Sequence, residues 1–472
     1  MAPFPLRDAA RPDQPALRLS EILSALSVAL DMTEGQPAGH CMRAAYIGVR
    51  IAEELGLGSI ARREVYYAIL LKDLGCSSNA ARLCRLYLAD DLAFKRDFKF
   101  LDDSLPQVLR FVFDHTGLGH GLAERFRAIA HIMRHGGEIA RELIETRCER
   151  GAKIARRLRF SEAVASSIHA LDEHWNGSGK PQGLKGEAIP LYARIALAAQ
   201  VADVFHQTDG AAGALRELRR RSGRWFDPTV VAAFAKVLAD PGFAAEFAAA
   251  DSDLPEFDTE LDRVDETLLD DIAEAFGEIV DSKSPFTSGH CERVTLFADM
   301  IAEGLGLSPE RRRILRRAAL LHDIGKLGVS NSILEKPGKL DEEEFRVMRS
   351  HSLLGETILS RIAAFRELAE IAGAHHERLD GKGYPRGLTA AQLSLETRIV
   401  TTADIFDALT ADRPYRAAMP VSKALAIMRG DLGTAIDPIC LAALEEALHD
   451  FLPEEKRGEL PPPLAGAVPA AA

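Results

Sequence analysis

The stretch GHCMRAAYIGVRIAEELGL, Gly39 to Leu57, returns 250 positions later as GHCERVTLFADMIAEGLGL, Gly289 to Leu307. A repeat of this length makes the chain two copies of one unit, and 472 residues with 47% hydrophobic side chains give each copy enough apolar surface for a core. The ends of the copies also match: GRWFDPTVVAAF, Gly223 to Phe234, resembles GTAIDPICLAAL, Gly433 to Leu444, so the first copy finishes between Pro241 and Ala250. The expected organisation is a disordered start at 1–20, a first copy at 21–250, an acidic linker at 251–265, a second copy at 266–451 and a disordered, proline- and alanine-rich tail at 452–472. Leu261, Val264, Leu268, Leu269, Ile272 and Phe276 form an apolar stripe at helical spacing, which predicts a helix joining or pairing the copies.

Alternating β-branched runs are scarce while Ala, Leu, Arg and Glu dominate, so the fold class is all-α. Helix starts are legible at Ser308 before Pro309, and at Asp341 with Glu344 as a capping box.

The second copy carries an ordered series of five histidines and two aspartates: His290, His322-Asp323, His351, His375-His376 and Asp404. Helical periodicity aligns His290 with Val294, Phe297 and Ile301, His322 with Leu315 and Ala318, and His351 with Met348, Gly355 and Ile358. It likewise aligns His375 with Leu368 and Ile371, and Asp404 with Val400 and Ala408, so every member of the series faces the apolar side of its helix. One inward histidine is ordinarily a hydrogen-bonded core residue. That reading fails for the set, because a buried cluster of imidazoles and carboxylates is costly to desolvate and divalent metal is the usual remedy. Imidazole and carboxylate donors suit Fe, Mn, Zn, Co or Ni, and make Mg alone a poor choice. Asp323 is placed to bridge two ions, with Gly325 expected to end its helix.

HDIGK at His322 to Lys326, HHERLDGKGYP at His375 to Pro385 and ADIFDALTADRPYR at Ala403 to Arg416 resemble, in order, the motifs of the HD-GYP branch of the HD-domain phosphohydrolases. The resemblance runs from about 266 to 450. It implies two tandem HD-like helical bundles, the first degenerate, and a phosphodiesterase that hydrolyses cyclic di-GMP to pGpG or GMP with two divalent transition metal ions, Fe or Mn foremost. By position, it implies that His290, His322, Asp323 and Asp404 surround one ion and Asp323, His351, His375 and His376 the other. His322, Asp323 and Lys326 take the catalytic roles. Lys326, Lys382, Tyr384, Arg413 and Arg416 contact substrate, and the Gly383-Tyr384-Pro385 loop contacts substrate or diguanylate cyclase (GGDEF) partners. On glycine and proline content alone that loop is simply a turn. Two paired ions supply a nucleophile near neutral pH and stabilise charge on the phosphate oxygens, with Lys326 beside them. Two departures stand out. Phe286 occupies the position from which a glutamate binds a third ion in some members, so two ions are expected; and the family's GTHFDP reads GTAIDP at Gly433 to Pro438, a change expected to affect packing more than catalysis.

In the first copy, Lys72-Asp73 stands against His322-Asp323. Arg147 replaces His351, and Leu171-Asp172 replaces His375-His376. His40, Asp73 and one of Gln200 or Asp203 are all that remain, too few for two ions, and the ammonium of Lys72 stands in for a cation beside Asp73 and Asp172. The first copy reads as catalytically dead and regulatory. It also holds 46 extra residues between Cys76 and Arg147, a lid or partner surface, including His131 and His135 in HIMRH. These two lack the glutamate of a metalloprotease motif and read as structural or surface residues rather than a zinc site.

A net charge of −12 argues against nonspecific binding to nucleic acid or anionic membrane. No run of 18 or more apolar residues predicts a transmembrane helix, and the N-terminus lacks a secretory signal, so a cytoplasmic protein is expected. Six cysteines without paired spacing read as reduced buried thiols, with Cys41 and Cys291 beside His40 and His290 raising oxidant sensitivity as an alternative. Three functions fit the sequence: a cyclic di-GMP phosphodiesterase, an HD phosphohydrolase for another nucleotide, or a non-enzymatic scaffold for diguanylate cyclases. A homodimer is compatible with each.

Overall fold

The computed structural model describes residues 17–101, 104–250, 263–413 and 416–451. Among them the chain is helical, and β pairing is limited to isolated bridges such as Arg18 with Arg263. The first copy contains α1 (Leu19–Thr33), α2 (His40–Glu54), α3 (Ser59–Leu70), α4 (Ala80–Tyr87), α5 (Asp91–Phe98), α6 (Leu105–His115), α7 (Leu122–Arg157), α8 (Glu162–His169), α9 (Leu191–Arg221), α10 (Pro228–Val237) and α11 (Phe243–Ala249). The second contains α12 (Glu266–Asp281), α13 (His290–Gly304), α14 (Pro309–Leu321), α15 (Asn331–Leu334), α16 (Glu342–Leu359), α17 (Arg366–Ala374), α18 (Leu395–Thr410), α19 (Val421–Gly430) and α20 (Pro438–Phe451).

The repeat is visible in backbone chemistry. Gly39 and Gly289 precede α2 and α13 with φ of 85° and 66°, a left-handed turn that favours glycine. In both turns an aspartate from the preceding helix receives the backbone: Asp31 accepts from the N–H of Cys41, and Asp281 from that of Cys291. Gly75 and Gly325 serve a close crossing, since a Cβ there would lie 2.0 Å from the carbonyl oxygen of Arg147 or His351 respectively. Gly325 therefore does not end α14, as its sequence position suggests. The helix stops at Leu321, His322 forms its C-cap, and Gly325 lies in a 3-10 turn at Ile324–Gly328 pressed against α16. The helix starts at Ser308 and Asp341 are as expected, the second closing a full capping box with Glu344.

One apolar core runs through both copies. α12 buries Leu268, Leu269, Ile272 and Phe276 against α13 and α14 and touches α7, as the stripe predicts for a joining helix; Leu261 lies outside the described residues. α1 packs on the turn Ile324–Gly328 and on α16 of the other copy. Its first residue, Leu19, is buried, so the start expected to be disordered to residue 20 becomes helix two residues sooner, where apolar burial outweighs chain entropy. Residues 1–16, most of the acidic linker (251–262) and the tail from 452 lie outside the described residues.

The extra residues of the first copy build α4 to α6 and much of α7 around Leu83, Phe94, Phe111, Ile139 and Leu143. Phe113, Leu122 and Phe126 remain exposed. The rings of His131 and His135 lie 5.0 Å apart along α7, tilted to one another, and among the described residues no third donor completes a ligand group with them. This insertion also locks the copies together. Asp91, fully buried at the start of α5, accepts from Ser330 Oγ at 3.1 Å and from the Asn331 N–H at 2.8 Å, while Asn331 Nδ2 donates to the carbonyl of Lys283. Asp91→Ala strands two buried donors and is expected to lower unfolding stability by about 1–3 kcal/mol, read as an earlier urea midpoint.

Candidate metal centre

Five segments of the second copy deliver the histidine and aspartate series to one place. His290 opens α13, His322 caps α14, Asp323 follows at the bend into the 3-10 turn, His351 sits inside α16, His375 caps α17 with His376 next, and Asp404 lies within α18. All but the half-buried His376 are buried. The donor atoms form two groups, each within 4.8 Å: His290, His322 and Asp404 in one, and Asp323, His351, His375 and His376 in the other.

Hydrogen bonding aims the imidazoles. His322, His351 and His375 each donate Nδ1–H to the carbonyl three residues earlier, Ala319 at 2.7 Å, Met348 at 2.6 Å and Ala372 at 2.6 Å. A carbonyl only accepts, so the Nδ1 of each ring carries the proton and its Nε2 is the atom turned inward. The Nε2 atoms of His351 and His375 face each other at 3.3 Å. Burial pushes His351 down to about 4 and His375 down to about 3, so protons do not fill this gap. His290 differs: burial opposes its charge, but the carboxylate of Asp323, the hydrogen-bonded Asp407 and nearby Asp404 push it up to about 9. Carboxylates around that ring call for a cation, whether proton or metal.

Asp323 stands between the groups. Its Oδ2 lies 3.3 Å from the Nε2 of His290 and of His322, and its Oδ1 lies 3.4 Å from His351 Nε2 and 3.7 Å from His375 Nε2. His290 Nε2, His322 Nε2 and Asp323 Oδ1 are buried without a hydrogen-bond partner. Converging lone pairs and a doubly facing carboxylate, with no thiolate among them, fit divalent cations bound through N and O donors. Phe286 is half-buried and offers no donor atom for a further ion.

Around the cluster, Lys326 pairs with Asp323. The Gly383-Tyr384-Pro385 loop folds back over His376, with ring centres of Tyr384 and His376 4.8 Å apart. It is more than a turn: buried Glu377 accepts from the N–H groups of Arg386 and Leu388, and a Cβ at Gly383 would lie 2.4 Å from the Arg378 nitrogen. Lys382 is exposed, and Arg413 and Arg416 are half-buried beyond α18; none of the three is bonded to the cluster, and Arg416 donates to the carbonyl of Ala408. Sequence reasoning missed Asp407, whose Oδ2 lies 2.7 Å from His290 Nδ1 while Arg293 grips both carboxylate oxygens, and it missed Glu377. Both had a signal in the repeat, as Asp203 and Glu173.

The matching place in the first copy is filled by the protein's own cations. Lys72 pairs with Asp73, Arg147 with Asp172, and Lys95 and Lys99 lie 3.4 and 3.2 Å from Glu34. Glu34, Asp73 and Cys76 converge closely enough to hold an ion, but these cations already occupy their surroundings. Asp203, 2.7 Å from His40 Nδ1, repeats the role of Asp407, which leaves Gln200 at the position of Asp404. His40 is held down at about 4 by burial and by Lys72. The cysteines are free, and burial keeps Cys41 and Cys291 well above the ordinary thiol range, which favours the inert thiol. No helix of the described residues is long and apolar enough to cross a membrane.

Several known proteins resemble this chain. A family profile described as HD domain matches residues 120–230 and 274–439. The chain is 53% identical to the 3'3'-cGAMP-specific phosphodiesterase 3 of Vibrio cholerae over 93% of its own length and 96% of that protein. It is 46% identical over 160 residues to the cyclic di-GMP phosphodiesterase response regulator RpfG of Xanthomonas campestris, covering 34% of this chain and 42% of RpfG. It is 38% identical to a cyclic di-GMP phosphodiesterase of Thermotoga maritima, covering 40% of this chain and 53% of that one. The crystal structure of a V. cholerae cyclic GMP-AMP specific phosphodiesterase, V-cGAP3, matches with a TM-score of 0.64 and 48% identity over 93% of this chain and all of the other. With the motifs of the second copy and relatives of this extent, the chain belongs to the HD-GYP branch of the HD-domain family.

Proposed function

We propose that the second copy is a phosphodiesterase that opens a cyclic dinucleotide, with 3'3'-cGAMP as its first substrate and two divalent ions, Fe or Mn, in its centre. The observation that carries this reading is Asp323, whose two oxygens each face a separate set of imidazoles. Such ions supply a nucleophile near neutral pH and offset charge on the phosphate. The protein does the rest. The carbonyls of Ala319, Met348 and Ala372, with Asp407, fix the tautomer and direction of four rings. Lys326 brings an ammonium to the edge of the centre, where charge grows on the reacting phosphate. Arg413, Arg416 and Lys382 meet the second phosphate.

The preference for 3'3'-cGAMP over the cyclic di-GMP implied by the motifs rests on a relative that matches across both copies. Cyclic di-GMP is the second reading, supported by RpfG and the Thermotoga enzyme. The first copy, with lysines and arginines where ligands would stand, is a regulatory domain. Its filled site also suits the scaffold role, binding a diguanylate cyclase without chemistry. Full-length protein reconstituted without oxygen with Fe(II) or Mn(II), then given each dinucleotide, is expected to release linear products by chromatography, faster from 3'3'-cGAMP. Metal-loaded protein that hydrolyses neither overturns the proposal in favour of another nucleotide or a scaffold.

A further inference from the structure

We infer that Phe345 and Arg349, on the helix that carries His351, form the subsite that stacks one purine base of the substrate. This rests on the cyclic-dinucleotide reading above and extends it from the phosphate to the base. The two residues are one turn apart on α16, so they share a face. Phe345 is 45% exposed although its ring neighbours Tyr384, which packs on His376. The guanidinium of Arg349 sits 4.8 Å from the centre of the Phe345 ring and 6.0 Å from that of Tyr384. Tyr384 in turn lies 6.4 Å from Phe345, ring to ring, and 4.8 Å from His376. From the metal-facing histidines outward there is thus a continuous row of flat groups: His351, His376, Tyr384, then Phe345 with Arg349 over it.

Arg349 is unusual among its neighbours. Arg346 pairs with Glu343, Arg386 with Glu356 and Arg378 with Asp380, whereas the Arg349 side chain makes no hydrogen bond or ion pair among the described residues. An exposed aromatic ring and an unneutralised guanidinium are what an unpaired nucleobase stacks upon, since every base offers a π face and the cation adds attraction. A phosphate at the histidine and aspartate cluster leaves its nucleoside one ribose away, within reach of a row of rings that begins at His351 and His376. A merely structural ring would be buried, and a merely solubilising arginine would stand clear of the rings.

Phe345→Ala and Arg349→Lys separate the possibilities, the second keeping charge but losing the planar group. Each is measured for KM and kcat on 3'3'-cGAMP and cyclic di-GMP, and for hydrolysis of bis(4-nitrophenyl) phosphate, a diester without a purine. Each is expected to raise KM for the dinucleotide that the wild type cleaves by about 10-fold, far more than it changes hydrolysis of the purine-free diester. Phe345→Trp, which restores a π face, is expected to bring KM back. Unchanged KM in both variants, or equal losses on dinucleotide and purine-free diester, overturns the inference alone. Wild-type protein that cleaves the purine-free diester but neither dinucleotide overturns the proposed function itself.

Discussion

His322→Ala combined with Asp323→Ala is expected to abolish turnover, by at least about 1000-fold, and to leave the helical fold in place. Asp323 is the carboxylate that both imidazole groups face, and His322 contributes an Nε2 with no hydrogen-bond partner among the described residues. Removing the pair takes away the carboxylate that both groups face rather than one donor of many. Fold retention follows from the same geometry: these atoms converge on one another rather than on the apolar core, and His322 Nε2 and Asp323 Oδ1 are unsatisfied to begin with. Circular dichroism checks the fold, and product chromatography checks turnover. Hydrolysis retained by the double variant would remove this cluster from consideration as the active site.

Lys72→Ala is expected to be as damaging to stability as the first change is to activity, and to leave the kcat of the folded protein near its wild-type value. The Lys72 side chain is wholly buried against Asp73, with Glu34 and Cys41 nearby. Burial opposes charge on both members of the pair, yet Asp73 raises Lys72 and Lys72 depresses Asp73, so the pair is ionised. Taking away one partner leaves a buried carboxylate without its cation, at a cost of about 3–5 kcal/mol. Urea unfolding measures the loss, and kcat at a temperature well below unfolding measures the rest. A large fall in kcat with normal stability would contradict a first copy whose cations only fill a vanished site.

The sequence announces the second copy's cluster because ligand chemistry must use particular residue types, and helical spacing then tells which way His290, His351 and Asp404 face. It also shows that the first copy lacks two of the second copy's histidines, since Lys72 and Arg147 align with His322 and His351. What aims the rings is less legible. Three of the histidines are held by backbone carbonyls, which carry no residue identity, and so leave no mark in the composition. Gly325 misled for a related reason: a glycine beyond an apolar helix usually reads as a C-cap, but here the backbone of His351 comes too close for any side chain. The Asp91 lock and the packing of α1 on Ile324–Gly328 are contacts between residues some 240 and 300 positions apart, beyond the reach of local pattern.

The central claim is a pair of ions sharing Asp323 in the second copy, and metal content tests it most directly. Full-length protein, reconstituted without oxygen, desalted and analysed by mass spectrometry of the elements, is predicted to carry two Fe or Mn per chain, falling below one in Asp323→Ala. Two ions per chain retained by Asp323→Ala, or wild-type protein that binds none, would contradict it.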